Sequence, residues 1–202
     1  MTTTFDLLPF FAFAVVASAT PGPNNIMVLA TAAAHGLRAT IPLILGVVLG
    51  FGFMVAAVGI GIAQPLASHR LLHEVLRWVG AGWLLVLAWK IAHAGAPSLT
   101  GEGASRARLG FWSACGFQWI NPKAWVMALA TATTYTTPGQ NLTRQMLVLA
   151  GIFMLVGIFT VGGWGLLGSQ ARRHIGSPER MRVFNLVMGI LLAASVVPAV
   201  LE

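Results

Sequence analysis

The sequence predicts an all-α integral membrane protein with six transmembrane helices, built as two inverted three-helix repeats in which helices 1 and 4 are broken. Three observations support this class: a very apolar composition, six long apolar segments, and proline near the middle of the first and fourth segments. Of the 202 residues, 57% are hydrophobic and 8% are charged, whereas soluble domains carry about 25% charged residues. So few charged side chains would not cover a water-exposed surface.

Six apolar segments reach the roughly 20 residues that a helix needs to cross a hydrocarbon core of about 30 Å. Because lipid offers no hydrogen-bond partners to the backbone, each segment is expected to be helical. The predicted spans cover residues 7–34, 41–63, 75–94, 109–135, 145–168 and 183–201.

The longest connection, residues 95–108, is rich in Gly, Pro and Ser, as is typical of flexible linkers. It divides the chain into a first three-helix repeat, residues 1–94, and a second, residues 109–202. The hexapeptide at residues 27–32 recurs at residues 127–132 with five of six positions identical. Because three is an odd number, the two halves must insert with opposite topology, as in many secondary transporters.

Lys and Arg near the loops predict the orientation of the spans. Eight of the 12 lie on the side of the loops that follow spans 1, 3 and 5, three lie on the opposite side, and Lys123 lies within span 4. This bias predicts that the linker at residues 95–108 is cytoplasmic and that both termini lie on the other side of the membrane.

Spans 1 and 4 each contain a helix-breaking sequence. It is Thr-Pro-Gly-Pro-Asn-Asn at residues 20–25 and Gln-Trp-Ile-Asn-Pro-Lys at residues 118–123. Proline lacks an N–H group and clashes with the preceding turn, but it suits the first position of a new helix. We therefore expect new helices to begin at Pro23 and Pro122, with Asn121 as an N-cap.

Two half-helices that begin near the bilayer midplane would direct free N–H groups and positive dipole ends towards an anion, such as the carboxylate of an amino acid. Paired breaks in two halves indicate a transport site. The alternative is a pair of simple proline kinks, but polar side chains cluster at both breaks, which favours a site. The predicted substrate-binding residues are Pro21, Gly22, Asn24, Asn25, Gln118, Asn121 and Lys123.

Lys123 lies near the middle of span 4, where a charge costs about 2.5–3.5 kcal/mol on insertion scales. All five acidic residues lie at termini, in loops or near helix ends. The sequence thus offers Lys123 no carboxylate partner within the membrane. We expect the substrate carboxylate to balance its charge, or Lys123 to release its proton and take part in proton coupling.

Other functional classes have less support. The net charge is +7, but the basic residues lie between apolar segments, so nucleic acid is not an expected partner. Cys115 is the one cysteine and the five histidines form no metal-ligand pattern, so no metal site and no cofactor are predicted. The sequence also lacks a nucleophile–base set or paired carboxylates in the spans, so an enzyme is not expected.

Glycine recurs in spans 2 and 5 and is expected to let helices approach closely. Gly46 and Gly50 form a GxxxG pattern in span 2. The other glycines that we assign to packing are Gly52, Gly59, Gly61, Gly157, Gly162, Gly163, Gly165 and Gly168.

Several motifs match a known superfamily: the sequences at residues 20–25, 35–38, 78–85, 87–90 and 121–123, together with the glycine-rich second span. With these motifs the chain resembles the lysine exporter/threonine–homoserine efflux superfamily of bacterial inner-membrane transporters. It is most similar to the cysteine/O-acetylserine efflux branch, although Trp83 stands where many members carry tyrosine. The resemblance implies export of neutral or basic amino acids from the cytoplasm, coupled to the proton gradient. For a protein of the bacterial inner membrane, the bias of Lys and Arg described above predicts that both termini are periplasmic.

We therefore predict an exporter of small neutral amino acids such as cysteine, O-acetylserine, threonine or homoserine. Its partners would be the amino acid, a proton or another coupling ion, and the lipid bilayer; homo-oligomer formation is left open. The alternatives are export of a basic amino acid or a metal ion on the same scaffold, or a helix bundle without transport activity. A metal cargo would call for carboxylates or thiolates at the span centres, which hold none except Cys115.

Overall fold

The computed structural model describes residues 7–61, 70–93, 109–137, 140–175, 177–194 and 196–197. In these residues the regular secondary structure is helical throughout, which confirms the predicted all-α class. The helices are α1 (Leu7–Ala19), α2 (Pro23–His35), α3 (Leu37–Gly59), α4 (Arg70–Ala92), α5 (Phe111–Gln118), α6 (Pro122–Thr134), α7 (Leu142–Ile175) and α8 (Pro178–Ala194).

Both predicted helix breaks are present. The segment predicted as span 1 forms α1 and α2, and the segment predicted as span 4 forms α5 and α6. Two of the described helices, α3 and α7, are by themselves long and apolar enough to cross a membrane, whereas α1 and the segment Ala81–Ala92 of α4 are shorter apolar helices. The structure is thus that of a helical bundle with two continuous long apolar helices, and the count of six spans stays a prediction.

Several predicted span boundaries were wrong, because hydropathy marks the apolar part of a helix and not its ends. Helix α4 begins at Arg70, five residues before the predicted start, and α7 continues to Ile175, seven residues past the predicted end. The start of α7 is set by a polar contact, since Asn141 Oδ1 accepts a hydrogen bond from the N–H of Arg144 at 2.9 Å. The predicted linker at residues 95–108 and the end of span 6 lie outside the described residues.

Helix α3 lies at the centre and packs against α5 on one side and α7 on another. Gly46 and Gly50 allow the approach of α5, because a Cβ on Gly46 would collide with the carbonyl oxygen of Phe111 and one on Gly50 would lie 2.7 Å from the Cα of Cys115. Gly52 and Gly59 of α3 face methionine side chains of α7 in the same way. These four glycines of span 2 therefore allow close packing of the helices, as predicted.

Helix α7 also packs along α2, and α4 packs chiefly against α8. A Cβ on Gly168 would collide with the carbonyl oxygen of Leu29, and one on Gly189 would lie 2.7 Å from the carbonyl oxygen of Ala88. Positions 61, 162 and 163 do not follow the prediction, because a Cβ there would meet no atom of the described residues within 4 Å. Their glycines face away from the neighbouring described helices.

The two half-helices that follow the breaks correspond in length but not in the register of the repeated hexapeptide. Helices α2 and α6 both contain 13 residues, and their first residues, Pro23 and Pro122, are 99 positions apart, whereas the hexapeptides are 100 positions apart. One residue rotates a position by about 100° around a helix. The hexapeptides thus do not occupy equivalent faces, and the correspondence of the halves depends on the paired breaks.

Candidate functional site

The two breaks lie against each other. The first break, residues 20–22, separates α1 from α2, and the second break, residues 119–121, separates α5 from α6. Each new helix begins with the predicted proline in a first-turn position, and Asn121 is the N-cap of α6, as predicted. Segments about 100 residues apart in sequence therefore meet in the interior of the bundle.

A pair of side-chain amides joins α2 to α5. The Nδ2 of Asn24 donates to the Oε1 of Gln118 at 2.9 Å, and the Nε2 of Gln118 donates to the Oδ1 of Asn24 at 3.2 Å. Gln118 Nε2 also donates to the carbonyl oxygen of Ala114 at 2.9 Å. Gln118 is completely buried, so this pair provides the hydrogen bonds that a polar side chain in the interior requires.

Lys123 joins α6 to the end of α1. Its Nζ donates to the carbonyl oxygen of Thr20 at 2.8 Å, and its side chain passes over Gly22, where a Cβ would lie 3.0 Å from Cδ and 3.1 Å from Nζ. The sequence had shown no carboxylate partner for this charge. The structure supplies a main-chain carbonyl at the C-terminal end of α1, where the helix dipole favours a cation.

The carbonyl groups at the end of α1 have lost their intrahelical partners at the break and are satisfied by side chains from other segments. Asn25 Nδ2 donates to the carbonyl oxygens of Ser18 at 2.8 Å and Thr20 at 2.9 Å. The indole Nε1 of Trp164, on α7, donates to the carbonyl oxygen of Ala19 at 3.1 Å. Side chains of α2, α6 and α7 thus hold the end of α1 in place.

The second break is satisfied within its own segment. The N–H groups of Trp119 and Ile120 donate to the carbonyl oxygens three residues before them, at 3.2 Å each, which tightens the last turn of α5. Asn121 Oδ1 accepts from the N–H of Lys123 at 3.1 Å. Trp125 Nε1 closes the turn with a bond of 2.8 Å to the carbonyl oxygen of Trp119.

A cavity of about 500 Å³, including its open mouth, lies between the breaks. Five of the seven predicted site residues line it: Gly22, Asn24, Asn25, Asn121 and Lys123. The structure does not place the other two on its surface. Pro21 is exposed, and Gln118 lies behind Asn24, to which it is bonded.

The opposite wall of the cavity is apolar and comes from helices that sequence reasoning did not assign to the site. Its residues on α3 and α7 are Val47, Val48, Phe51, Phe153, Gly157 and Val161. The rings of Phe51 and Phe153 are 5.0 Å apart in an edge-to-face contact. No local signal marked these positions, because spans 2 and 5 are apolar on every face. Trp164 was also missed, although a tryptophan among three glycines was a visible anomaly.

The polar end of the cavity is electropositive. Lys123 lies there, and so does the N-terminus of α2, whose N-cap Gly22 has extended dihedrals (φ −172°, ψ 179°) and makes no side-chain cap. Unsatisfied N–H groups and the dipole of a helix N-terminus favour an anion. Among the described residues, no group of three or more His, Cys, Asp or Glu could hold a metal ion. The arrangement suits a small molecule with one anionic and one apolar end.

Comparison with known proteins places the chain in a family. The profile of the LysE type translocator matches residues 15–198, which is most of the chain. The chain belongs to the LysE-type translocator family. The protein is therefore a transporter of the inner membrane and not an enzyme, and the resemblance noted from its motifs is confirmed.

Curated relatives in this family cover nearly the whole chain. The chain is 33% identical over 190 residues to a cysteine/O-acetylserine efflux protein of Salmonella typhimurium, covering 92% of this chain and 93% of that protein. It is 29% identical over 188 residues to a cysteine/O-acetylserine efflux protein of Escherichia coli K12, with the same coverage. No solved structure matches the chain.

Proposed function

We propose that this LysE-type translocator exports small neutral amino acids, of the size of cysteine, O-acetylserine, threonine or homoserine, through the cavity between its two breaks. The relatives named as cysteine/O-acetylserine efflux proteins support this substrate class. In this proposal the chain forms six spans in two inverted halves, residues 1–94 and 109–202. The linker at 95–108 is cytoplasmic and both termini are periplasmic.

The observation that carries the proposal is the electropositive end of the cavity. The N-terminus of α2 and the Nζ of Lys123 lie on the same side of the space, at Gly22. A carboxylate bound there would accept hydrogen bonds both from the backbone N–H groups of α2 and from the ammonium group of Lys123. Hydrogen bonds to charged groups contribute about 1.5–3 kcal/mol each, which is enough to orient a small amino acid.

The rest of the cavity fits an uncharged side chain. Once the carboxylate lies at the breaks, the substrate side chain faces the wall formed by α3 and α7. Lys123 is the ionisable side chain among the described residues that line the cavity. A basic substrate would bring a second positive charge with no carboxylate to receive it, so neutral amino acids are favoured over basic ones.

Binding would change the partner of Lys123. In the structure its ammonium group donates to Thr20 and so ties α6 to α1. A substrate carboxylate would compete for the same donor and weaken that tie, so substrate binding would favour separation of α1 from α6. The export direction would then follow from the proton gradient or another ion gradient, with Lys123 as the candidate proton carrier.

Counterflow of labelled amino acids in proteoliposomes tests this function. Wild-type vesicles preloaded with cysteine or threonine are expected to accumulate the labelled amino acid, and Lys123→Met is expected to lower the initial rate about 10- to 100-fold, from the loss of a charged hydrogen bond. Lys90→Met is the matched control, because Lys90 is an exposed lysine near the end of α4. Absence of counterflow with every small neutral amino acid would refute the proposed function, whereas full proton-driven export by Lys123→Met would refute the role given to Lys123.

A further inference from the structure

The apolar wall of the cavity contains a glycine that faces a valine across a narrow gap. Gly157 of α7 and Val48 of α3 both line the cavity, and both are buried. A Cβ built on Gly157 would lie 3.3 Å from Cγ2 and 3.6 Å from Cγ1 of Val48. A methyl group at position 157 would therefore press against the Val48 side chain within the lining of the cavity.

Neither Val48 nor the backbone at Gly157 can move freely to accommodate an added methyl group. Val48 is β-branched and lies in the middle of α3, so its χ1 angle is restricted to essentially one rotamer. Gly157 is in the interior of the 34-residue helix α7, and α3 and α7 pack more extensively than any other described pair of helices. The width of the cavity at this point is thus set by the backbone of Gly157 and the side chain of Val48, on two helices that pack closely against each other.

We propose that Gly157 and Val48 set the upper limit on the size of the substrate side chain. This inference rests on the proposed function, and it adds the residues that determine specificity. With the carboxylate at the α2 N-terminus and Lys123, the side chain extends towards α3 and α7 and meets the Gly157–Val48 part of the wall. A change of one methylene in an apolar pocket changes discrimination about tenfold or more.

The test is competition in the counterflow assay with unlabelled alanine, valine, leucine and phenylalanine, which form a series of increasing side-chain size. In Gly157→Ala, we expect the larger competitors to lose about tenfold in potency relative to alanine. In Val48→Ala, which removes two methyl groups from the wall, we expect leucine to gain about tenfold relative to alanine. The double variant Gly157→Ala/Val48→Ala should return the ranking close to that of the wild type, because the added methyl group fills the space left by the valine.

Gly151→Ala is the control for a helix glycine on α7. Gly151 is exposed, and a Cβ there would meet no atom of the described residues within 4 Å. The Gly151→Ala variant therefore gains the same helix propensity as Gly157→Ala without narrowing the cavity. Its competition series should equal that of the wild type. Thermal unfolding in detergent identifies any variant that does not fold. If Gly157→Ala does not fold, the potency of leucine relative to alanine in Val48→Ala decides whether the size limit holds.

The outcomes separate the two proposals. If wild-type vesicles exchange amino acids but Val48→Ala and Gly157→Ala keep the wild-type size ranking, the size limit is refuted and the proposed function stands. A shift in Gly151→Ala as large as that in Gly157→Ala would also refute it, because the effect would then come from the helix and not from the cavity. If wild-type vesicles exchange no amino acid at all, the proposed function fails and the size limit fails with it.

Discussion

The two breaks share a proline at the start of the following helix but differ in what satisfies their backbone groups. The second break is closed by its own residues, with Asn121 as the cap of α6 and tightened turns at the end of α5. The first break uses Asn25 of its own following helix, α2, but it also depends on Lys123 and Trp164, which come from α6 and α7. Its new helix begins at Gly22, which provides no side-chain cap.

This difference indicates a division of roles between the breaks. A segment closed by local contacts keeps its shape when neighbouring helices move, whereas a segment held by distant side chains is released when those side chains change partner. The N-terminus of α2 has no side-chain cap and lines the cavity. Because Pro23 has no N–H and Ile26 donates to Gly22, the donors that it offers a ligand are the N–H groups of Asn24 and Asn25. We infer that the second break supports the site structurally and that the first break receives the substrate.

The largest expected effect on stability concerns the amide pair that joins the breaks. Gln118→Leu should lower the free energy of unfolding by about 1–3 kcal/mol, because it leaves the amide of Asn24 without its partner. The double variant Asn24→Leu/Gln118→Leu should lose less than the sum of the single variants, as measured by thermal unfolding in detergent. Gln170→Leu, at an exposed position of α7, is the control; additive losses would show that the pair does not couple the breaks.

Gly22→Ala tests whether the first break serves transport more than stability. Its extended backbone accepts alanine, but the new methyl group would contact Cδ and Nζ of Lys123 and displace the ammonium group. We expect the counterflow rate to fall about tenfold, equivalent to about 1.4 kcal/mol, with little change in melting temperature. Gly116→Ala, near the second break and with no atom within 4 Å of its new Cβ, should transport normally; a normal rate in Gly22→Ala would contradict the account.

Asn121→Ala tests whether the second break serves stability more than transport. Loss of the N-cap of α6 should lower the free energy of unfolding by about 1 kcal/mol. Substrate selectivity should not change, because α6 keeps its position through its packing. Asn121→Ser restores a capping oxygen and should recover most of the stability. A change in the competition series without loss of stability would mean that Asn121 binds substrate and does not merely cap the helix.

The smallest expected effect is that of Trp164→Phe, which keeps an aromatic ring but removes the donor to Ala19. We expect a loss of about 0.5 kcal/mol in the free energy of unfolding, at the low end for one neutral hydrogen bond. Trp112→Phe, at a side chain that is 82% exposed, should leave stability unchanged. Equal melting temperatures of Trp164→Phe and the wild type would remove Trp164 from the set of groups that hold α1.

The sequence predicted the features of the site that depend on local chemistry. Proline cannot continue a helix, so the starts of α2 and α6 at Pro23 and Pro122 could be read directly. Asn121 could be recognised as a cap because an Asn directly before the first helical residue can accept a hydrogen bond from a backbone N–H of the first turn. Hydropathy located the long helices α3 and α7 but not their ends. Helix α7 continues through polar residues to Ile175, whereas α3 ends at Gly59, before the apolar segment does.

The features that depend on how helices face each other could not be predicted. The partner of Lys123 is a main-chain carbonyl at Thr20, and every residue carries such a group, so no sequence pattern marks it. Val48 and Gly157 look like any other apolar position of spans 2 and 5 until the packing of α3 against α7 turns them towards the breaks. The repeated hexapeptide suggested that positions 100 residues apart are equivalent, but the starts of α2 and α6 are 99 residues apart.

The central claim is that the cavity recognises the carboxylate of an amino acid at the first break. The most direct test is competition against labelled cysteine in wild-type proteoliposomes by two unlabelled compounds, cysteine and cysteamine, which lacks the carboxylate. We predict that cysteamine competes about 10- to 100-fold more weakly than cysteine, and that this difference largely disappears in Lys123→Met. Equal competition by both compounds in the wild type would contradict the account.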